Sequence, residues 1–125
     1  MLADSLAFSG FSVNDLDAAR SFYADTLGLP VEVIPEGLSL QLATGGAVFL
    51  YPKDDHQPAS FTVLNFPVED IDEAVDALVA AGVEIEHHSY ADEKGIARGR
   101  SVGRGPDIAW FRDPAGNTLS VLVGD

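Results

Sequence analysis

The chain uses one stretch twice, and that limits its fold more than any other feature. FSVNDLDAA at Phe11–Ala19 returns as FPVEDIDEA at Phe66–Ala74, an offset of 55 residues (66 − 11 = 55). Phe11, Val13, Asp15, Leu16 and Asp17 align with Phe66, Val68, Asp70, Ile71 and Asp72. Each copy continues as an amphipathic helical pattern to a glycine, Gly28 or Gly82. Each then enters a β-rich segment, Pro30–Ile34 or Val83–His87. A repeat of this length is a duplicated supersecondary unit. Two copies are too few for an open solenoid, so the copies are expected to share a core.

Read in order, Leu6–Val13 alternates as a strand, with Leu6, Phe8 and Gly10 on one face. Asn14 or Asp15 caps a helix over 16–27, which Gly28 ends. Pro30–Ile34 is a short strand, and 38–43 with 47–51 form a hairpin around Thr44-Gly45-Gly46. Pro52–Ala59 reads as a linker. A second strand follows at 60–68. Asp70-x-x-Glu73, an acidic form of the capping box, then opens a helix to about Ala81. Val83–His88 predicts a strand and 91–106 a Gly- and Arg-rich loop. Asp107–Arg112 and Thr118–Val123 predict a last hairpin turned by DPAGN, Asp113–Asn117. The expected fold class is α+β. Two tandem βαβββ units, about 5–52 and 60–124 joined by 53–59, form a single domain and a curled, cup-like mixed sheet with helices outside.

One strand face in each unit packs on the helix. With a two-residue turn at Gly45-Gly46, Leu40, Leu42, Phe49 and Tyr51 take that face. Leu50, paired with Gln41, and Val48, paired with Ala43, face away together with Ser39. Phe8 and Val63 join this helix-free side. So do Asn65 and, from the last hairpin, Trp110, Thr118 and Ser120. A face both polar and aromatic is expected to line a pocket.

Composition excludes several function classes. The net charge is −13, from 7 basic and 20 acidic residues, which argues against nucleic acid and anionic membranes as partners. It suits a cationic ligand, and equally serves solubility. Cysteine is absent, so thiol chemistry and disulfides are excluded. With no membrane-spanning run and no signal-peptide pattern at the start, a cytoplasmic location is expected.

Three segments carry a family resemblance: FSVNDLDAARSFYADTLGL (Phe11–Leu29), FPVEDIDEAVDALVAAGVEI (Phe66–Ile85) and IAWFRDPAGNTLSVL (Ile108–Leu122). Together they resemble the vicinal oxygen chelate superfamily, which holds glyoxalases, bleomycin-resistance proteins, fosfomycin-resistance enzymes and extradiol dioxygenases. The resemblance implies a divalent-metal site with His, Glu or Gln ligands on the first and fourth strands of each unit. Those positions fall here on Phe8, Leu50, Val63 and Ser120. Phe, Leu and Val cannot bind a metal and neutral Ser is a poor ligand. The expectation is therefore no metal and no cofactor. What remains is similar to the metal-free, drug-sequestering branch, and a homodimer is implied by the same resemblance.

The candidate ligand-binding residues are Phe8, Gln41, Leu50, Val63, Asn65, Trp110 and Ser120. Trp110 faces the pocket if Arg112 pairs with Thr118, where its ring would stack on a flat ligand; a one-residue shift buries it under the helices. Gln41 and Asn65 would orient a small polar molecule, or bond water and backbone. Adjacent His87 and His88 point to opposite faces of a strand and do not chelate one ion. His56, in the linker, is an acid–base candidate or a solvated turn residue. The loop from Asp92 to Pro106, with Lys94, Arg98, Arg100 and Arg104, is a mobile lid for an anionic group or a plain surface loop. Asp113–Asn117 is structural. No catalytic residue is assigned.

The first function reading is a metal-independent module that binds or sequesters a small, partly aromatic molecule. The alternatives are a lyase, isomerase or dioxygenase-type enzyme of the same superfamily with a non-standard site, and an interaction protein that keeps the fold without a ligand.

Overall fold

A computed structural model of the chain describes residues 1–124. The chain divides into two units, Met1–Gln57 and Pro58–Asp125.

The first unit contains β1 (Ser9–Val13), α1 (Leu16–Arg20), β2 (Val31–Ile34), β3 (Gly37–Gln41) and β4 (Ala47–Pro52). Its sheet runs β1-β4-β3-β2, with β1 parallel to β4 and the other pairs antiparallel. The Asp15 carboxylate accepts from the Ala18 N–H at 3.1 Å and so starts α1. The helix does not stay α-helical to its expected end. It widens into a π-helical stretch at Ser21–Thr26, where the Leu27 N–H donates to the Phe22 carbonyl five residues back. Tyr23, in that stretch, is fully buried, and Phe22 meets it edge to face at 5.2 Å. Gly28, at φ 76°, then turns the chain in a conformation that favours glycine.

The second unit repeats this plan. It contains β5 (Thr62–Pro67), α2 (Ile71–Ala80), β6 (Ala97–Arg98), β7 (Asp107–Arg112) and β8 (Thr118–Val123). The order β5-β8-β7-β6, with β5 parallel to β8, is that of the first sheet. The Asp70 carboxylate accepts from the Glu73 N–H at 3.0 Å, the counterpart of the Asp15 cap. The repeat read in the sequence is thus a repeat of topology, two βαβββ modules in an α+β fold.

In each unit the helix covers one sheet face. Phe11, Val13, Leu38, Leu40, Val48 and Leu50 are buried with Ala19 and Tyr23 in the first, and Ile71, Val75, Ala109, Phe111, Leu119 and Val121 in the second. Removing these apolar side chains from water drives each module to close on its helix.

Two expectations are corrected. In the first hairpin Leu38 pairs with Leu50, Ser39 with Phe49 and Leu40 with Val48. The connection is the five-residue Leu42–Gly46 loop, closed by a 3.0 Å bond from the Leu42 N–H to the Gly46 carbonyl, rather than a two-residue turn. That odd shift exchanges the faces of β4. Leu50 and Val48 are core, and Phe49 and Tyr51 lie on the helix-free side.

The other correction concerns Val83–His88, which is not a continuous strand. Ile85 bridges to Phe111 and the Glu86 N–H donates to the Trp110 carbonyl at 2.8 Å. The chain then leaves the sheet and returns at β6, where Ala97 pairs with Ile108. Two short segments share the place of the fourth strand, and residues 87–95 form an excursion between them.

The excursion is anchored by ion pairs, so the 92–106 region is more than an unstructured loop. Asp92 accepts from the N–H groups of Lys94 and Ile96 at 2.9 Å each, and from Arg98 Nε at 3.0 Å. Arg98 grips Asp72 of α2 with both terminal amino groups, at 3.1 and 2.8 Å. Lys94 lies 3.2 Å from Asp72 and 2.9 Å from Asp76. Hydrogen bonds from Arg98 and then Lys94 hold the Asp72 carboxyl down to about 2 from its ordinary 3.8. Burial pushes Asp92 up, but its bonds from Ile96, Arg98 and Lys94 outweigh that and leave it lowered.

Candidate functional site

On the helix-free face of the second sheet, Asn65, Ser120 and Trp110 stand in one row across β5, β8 and β7. Arg112 pairs with Thr118, the register expected of the DPAGN hairpin. That turn is fixed from within. Asp113 Oδ1 accepts from the Ala115 and Asn117 N–H groups at 3.0 and 2.9 Å, and Asn117 Nδ2 donates to Asp113 Oδ2 at 3.1 Å. Trp110 is half-buried, and its indole N–H donates to Thr62 Oγ1 at 3.2 Å. Ser120 is fully buried beside it and donates to Asn65 Oδ1 at 2.6 Å, while Asn65 itself stays exposed.

Residues from the excursion complete an aromatic wall. The rings of His88 and Tyr90 stack at 5.1 Å and 13°. Trp110 meets both edge to face, at 5.4 Å and 6.2 Å. Glu86 ties the wall to β7: Arg112 Nε donates to its Oε1 at 2.6 Å, and His88 Nε2 lies 3.2 Å from its Oε2. The result is a cleft of about 470 Å³ lined by Phe61, Thr62, His88, Tyr90, Trp110 and Arg112, among others.

The first unit carries the corresponding face. Gly10, Phe49 and Ser39 form the row equivalent to Asn65, Ser120 and Trp110. Phe49 and Tyr51 stack at 5.5 Å, and Gln41 Nε2 donates to Ser39 Oγ at 2.8 Å. Phe8, 70% exposed, lines a cleft of about 740 Å³ with Leu6, Ile34, Glu36, Ser39 and Phe49. Farther along β1, Ser12 Oγ and His56 Nδ1 share a hydrogen bond of 2.6 Å.

The sequence-derived candidates therefore separate. Asn65, Trp110 and Ser120 form one connected group, and Phe8 and Gln41 share a face in the first unit. Leu50 is fully buried on the helix side, and Phe49 stands where it was expected. Val63 is left out of the ladder by a bulge between Thr62 and Leu64, so Thr62 pairs with Thr118. Sequence reasoning missed Thr62, Tyr90, Glu86 and Phe49. The period-two reading of 83–88 hid the excursion that carries Tyr90 to Trp110.

Comparison with known proteins agrees with the topology. The sequence model of the glyoxalase/bleomycin resistance protein/dioxygenase superfamily matches residues 5–121. The chain belongs to this superfamily. It is 27% identical over 124 residues to the uncharacterized protein YraH of Bacillus subtilis (strain 168), covering 87% of this chain and 90% of that protein. The crystal structure of TnmS3, an antibiotic binding protein from Streptomyces sp. CB03234, superposes with a TM-score of 0.69 at 20% identity, covering 100% of this chain and 99% of that one. A glyoxalase family protein from Enterococcus faecalis gives 0.68 at 22% identity, with 98% and 99% covered. At these identities the two structures attest the fold.

The superfamily implies a divalent metal for many of its enzymes, and the donor set here does not fit one. The four corresponding positions hold Phe8, Phe49 in place of Leu50, Val63 beside Thr62, and Ser120. They offer at most neutral hydroxyls, and the Ser120 hydroxyl already donates to Asn65. Among the described residues, no three His, Cys, Asp or Glu side chains gather to hold a metal ion. No helix among the described residues is long and apolar enough to cross a membrane.

Proposed function

We propose that this superfamily member is a metal-independent binding protein for a small, partly aromatic molecule. The observation that carries this reading is the cleft at Trp110. A half-buried indole, fixed by Thr62, forms with Tyr90 and His88 an aromatic wall on the sheet face opposite α2. Such a wall offers flat apolar area with polar groups at its edge. Support also comes from the fold shared with an antibiotic-binding protein and from the unsuitable metal donors. In this reading Trp110 stacks on the ligand, and the exposed Asn65 amide, held by Ser120, orients its polar groups. The active species is a homodimer.

The chain has a single tryptophan, so its fluorescence reports this cleft directly. Titration with polycyclic aromatic compounds should quench it saturably without added metal, and Trp110→Phe with Tyr90→Ala should lose binding by an independent calorimetric assay. Aromatic compounds that leave the emission unchanged at millimolar concentration would remove the reading.

A metal-free enzyme is the second reading, favoured by the 2.6 Å Ser12–His56 hydrogen bond, a hydroxyl beside a general base. Turnover lost in His56→Ala, with the fold intact by circular dichroism, would support it. Binding without turnover in the same preparation would count against it.

A further inference from the structure

We infer that the ligand of this cleft carries an acidic group beside its aromatic ring, and that Arg112 selects it; the inference rests on the binding reading above. Trp110 and Arg112 are two residues apart on β7 and project from the same face, about 7 Å apart along the strand. A ring against Trp110 therefore puts a substituent one short arm away at the guanidinium.

Arg112 is positioned for this without being used up. Its Nε donates to Glu86 Oε1 at 2.6 Å, and its side chain is 64% exposed. Among the described residues its two terminal amino groups have no partner. Those two groups form the end-on edge of the planar guanidinium, which pairs with a carboxylate through two N–H bonds. Glu86 does not repel the incoming acid as a free carboxylate would, because its oxygens face Arg112 Nε and His88 Nε2. Glu86 is a positioning residue that aims the guanidinium at the cleft.

The other cations of this region differ. Lys94 is paired with Asp72 and Asp76, and Arg98 with Asp72 and Asp92, away from the cleft. The chain as a whole carries −13. At physiological salt that field is screened over about 8 Å, so recognition is decided by contact with Arg112. A cationic aromatic ligand, which overall acidity alone would favour, meets the Arg112 guanidinium, of the same sign, here.

The test uses the single tryptophan and three probes of one shape: naphthylacetate, its neutral amide naphthylacetamide, and the cationic naphthylethylammonium. All are titrated against wild type, R112Q and R112K at fixed ionic strength, with folding checked by circular dichroism. A charge-assisted pair gives the acetate roughly tenfold or greater preference over the amide in wild type. R112Q should abolish that preference and leave the affinity for the amide unchanged. R112K, which keeps the charge without the fork, should keep part of it. Equal affinity for acetate and amide in wild type, or a preference that survives R112Q, overturns the selection by Arg112 while leaving aromatic binding standing. Failure of all three probes to quench Trp110 overturns both. If R112Q does not fold, an undiminished preference in R112K still overturns the role given to the fork.

Discussion

Leu50→Ala separates the observed hairpin register from the one a two-residue turn would give. Leu50 is fully buried against the helix, with Leu38 across the ladder and Phe11 paired from β1. Truncating a leucine in such a site costs about 2–5 kcal/mol, since the cavity closes only in part. Unfolding entropy of about 2.1 cal/mol/K per residue makes each kcal/mol worth about 4 °C in a chain of 125 residues. A central cost of about 3 kcal/mol therefore lowers Tm by about 11 °C. The control is Gln41→Ala, exposed on the other face and bonded to Ser39, which should stay within about 0.5 kcal/mol. Differential scanning calorimetry reads both. A Leu50→Ala shift below about 4 °C, no larger than that of Gln41→Ala, would refute the placement of β4 and return Leu50 to the open face.

Asn117→Ala removes the buried bond to Asp113 and the one accepted from the Ala59 N–H, and should cost about 2 kcal/mol in urea unfolding. Asp72 has its folded pKa depressed to about 2, so its contribution to stability is complete above the ordinary 3.8 and is lost as pH falls toward 2. Asp72→Asn should therefore flatten the acid limb between about pH 4 and 2 in a stability–pH profile, and leave its shape near neutrality unchanged. Gly37→Ala puts a Cβ into the Leu50 carbonyl, so it should destabilise by about 2 kcal/mol or more, measured by thermal melts.

The parts of the fold legible in the sequence were those set by local chemistry. Asp15 and Asp70 cap their helices as their side chains dictate, and the DPAGN turn fixes its own hairpin so firmly that Trp110 falls opposite Ser120. The duplication read from Phe11 and Phe66 foretold two βαβββ units of one topology. Two features were decided by contacts distant in sequence. The Leu42–Gly46 loop contains turn residues that suit several lengths, and burial of Leu50 with Leu38 selects one. Residues 83–88 alternate like a strand, yet Asp92 and Arg98 pin the following segment to α2. Gly95 is tucked against Ile85, where a Cβ would come within 2.6 Å of its side chain. That packing carries His88 and Tyr90 off the sheet to Trp110. Two of the three rings of the aromatic wall depend on it, so no local pattern could have announced the site.

A binding protein of this kind takes its ligand without metal. Native mass spectrometry of the purified protein, recorded before and after adding zinc, nickel or manganese and then with an aromatic ligand, tests it most directly. No stoichiometric metal uptake is expected, and one aromatic molecule should be retained per chain with or without the ions. One tightly held metal per chain would contradict it and would restore a metalloenzyme built from ligands other than Phe8, Phe49, Thr62 and Ser120.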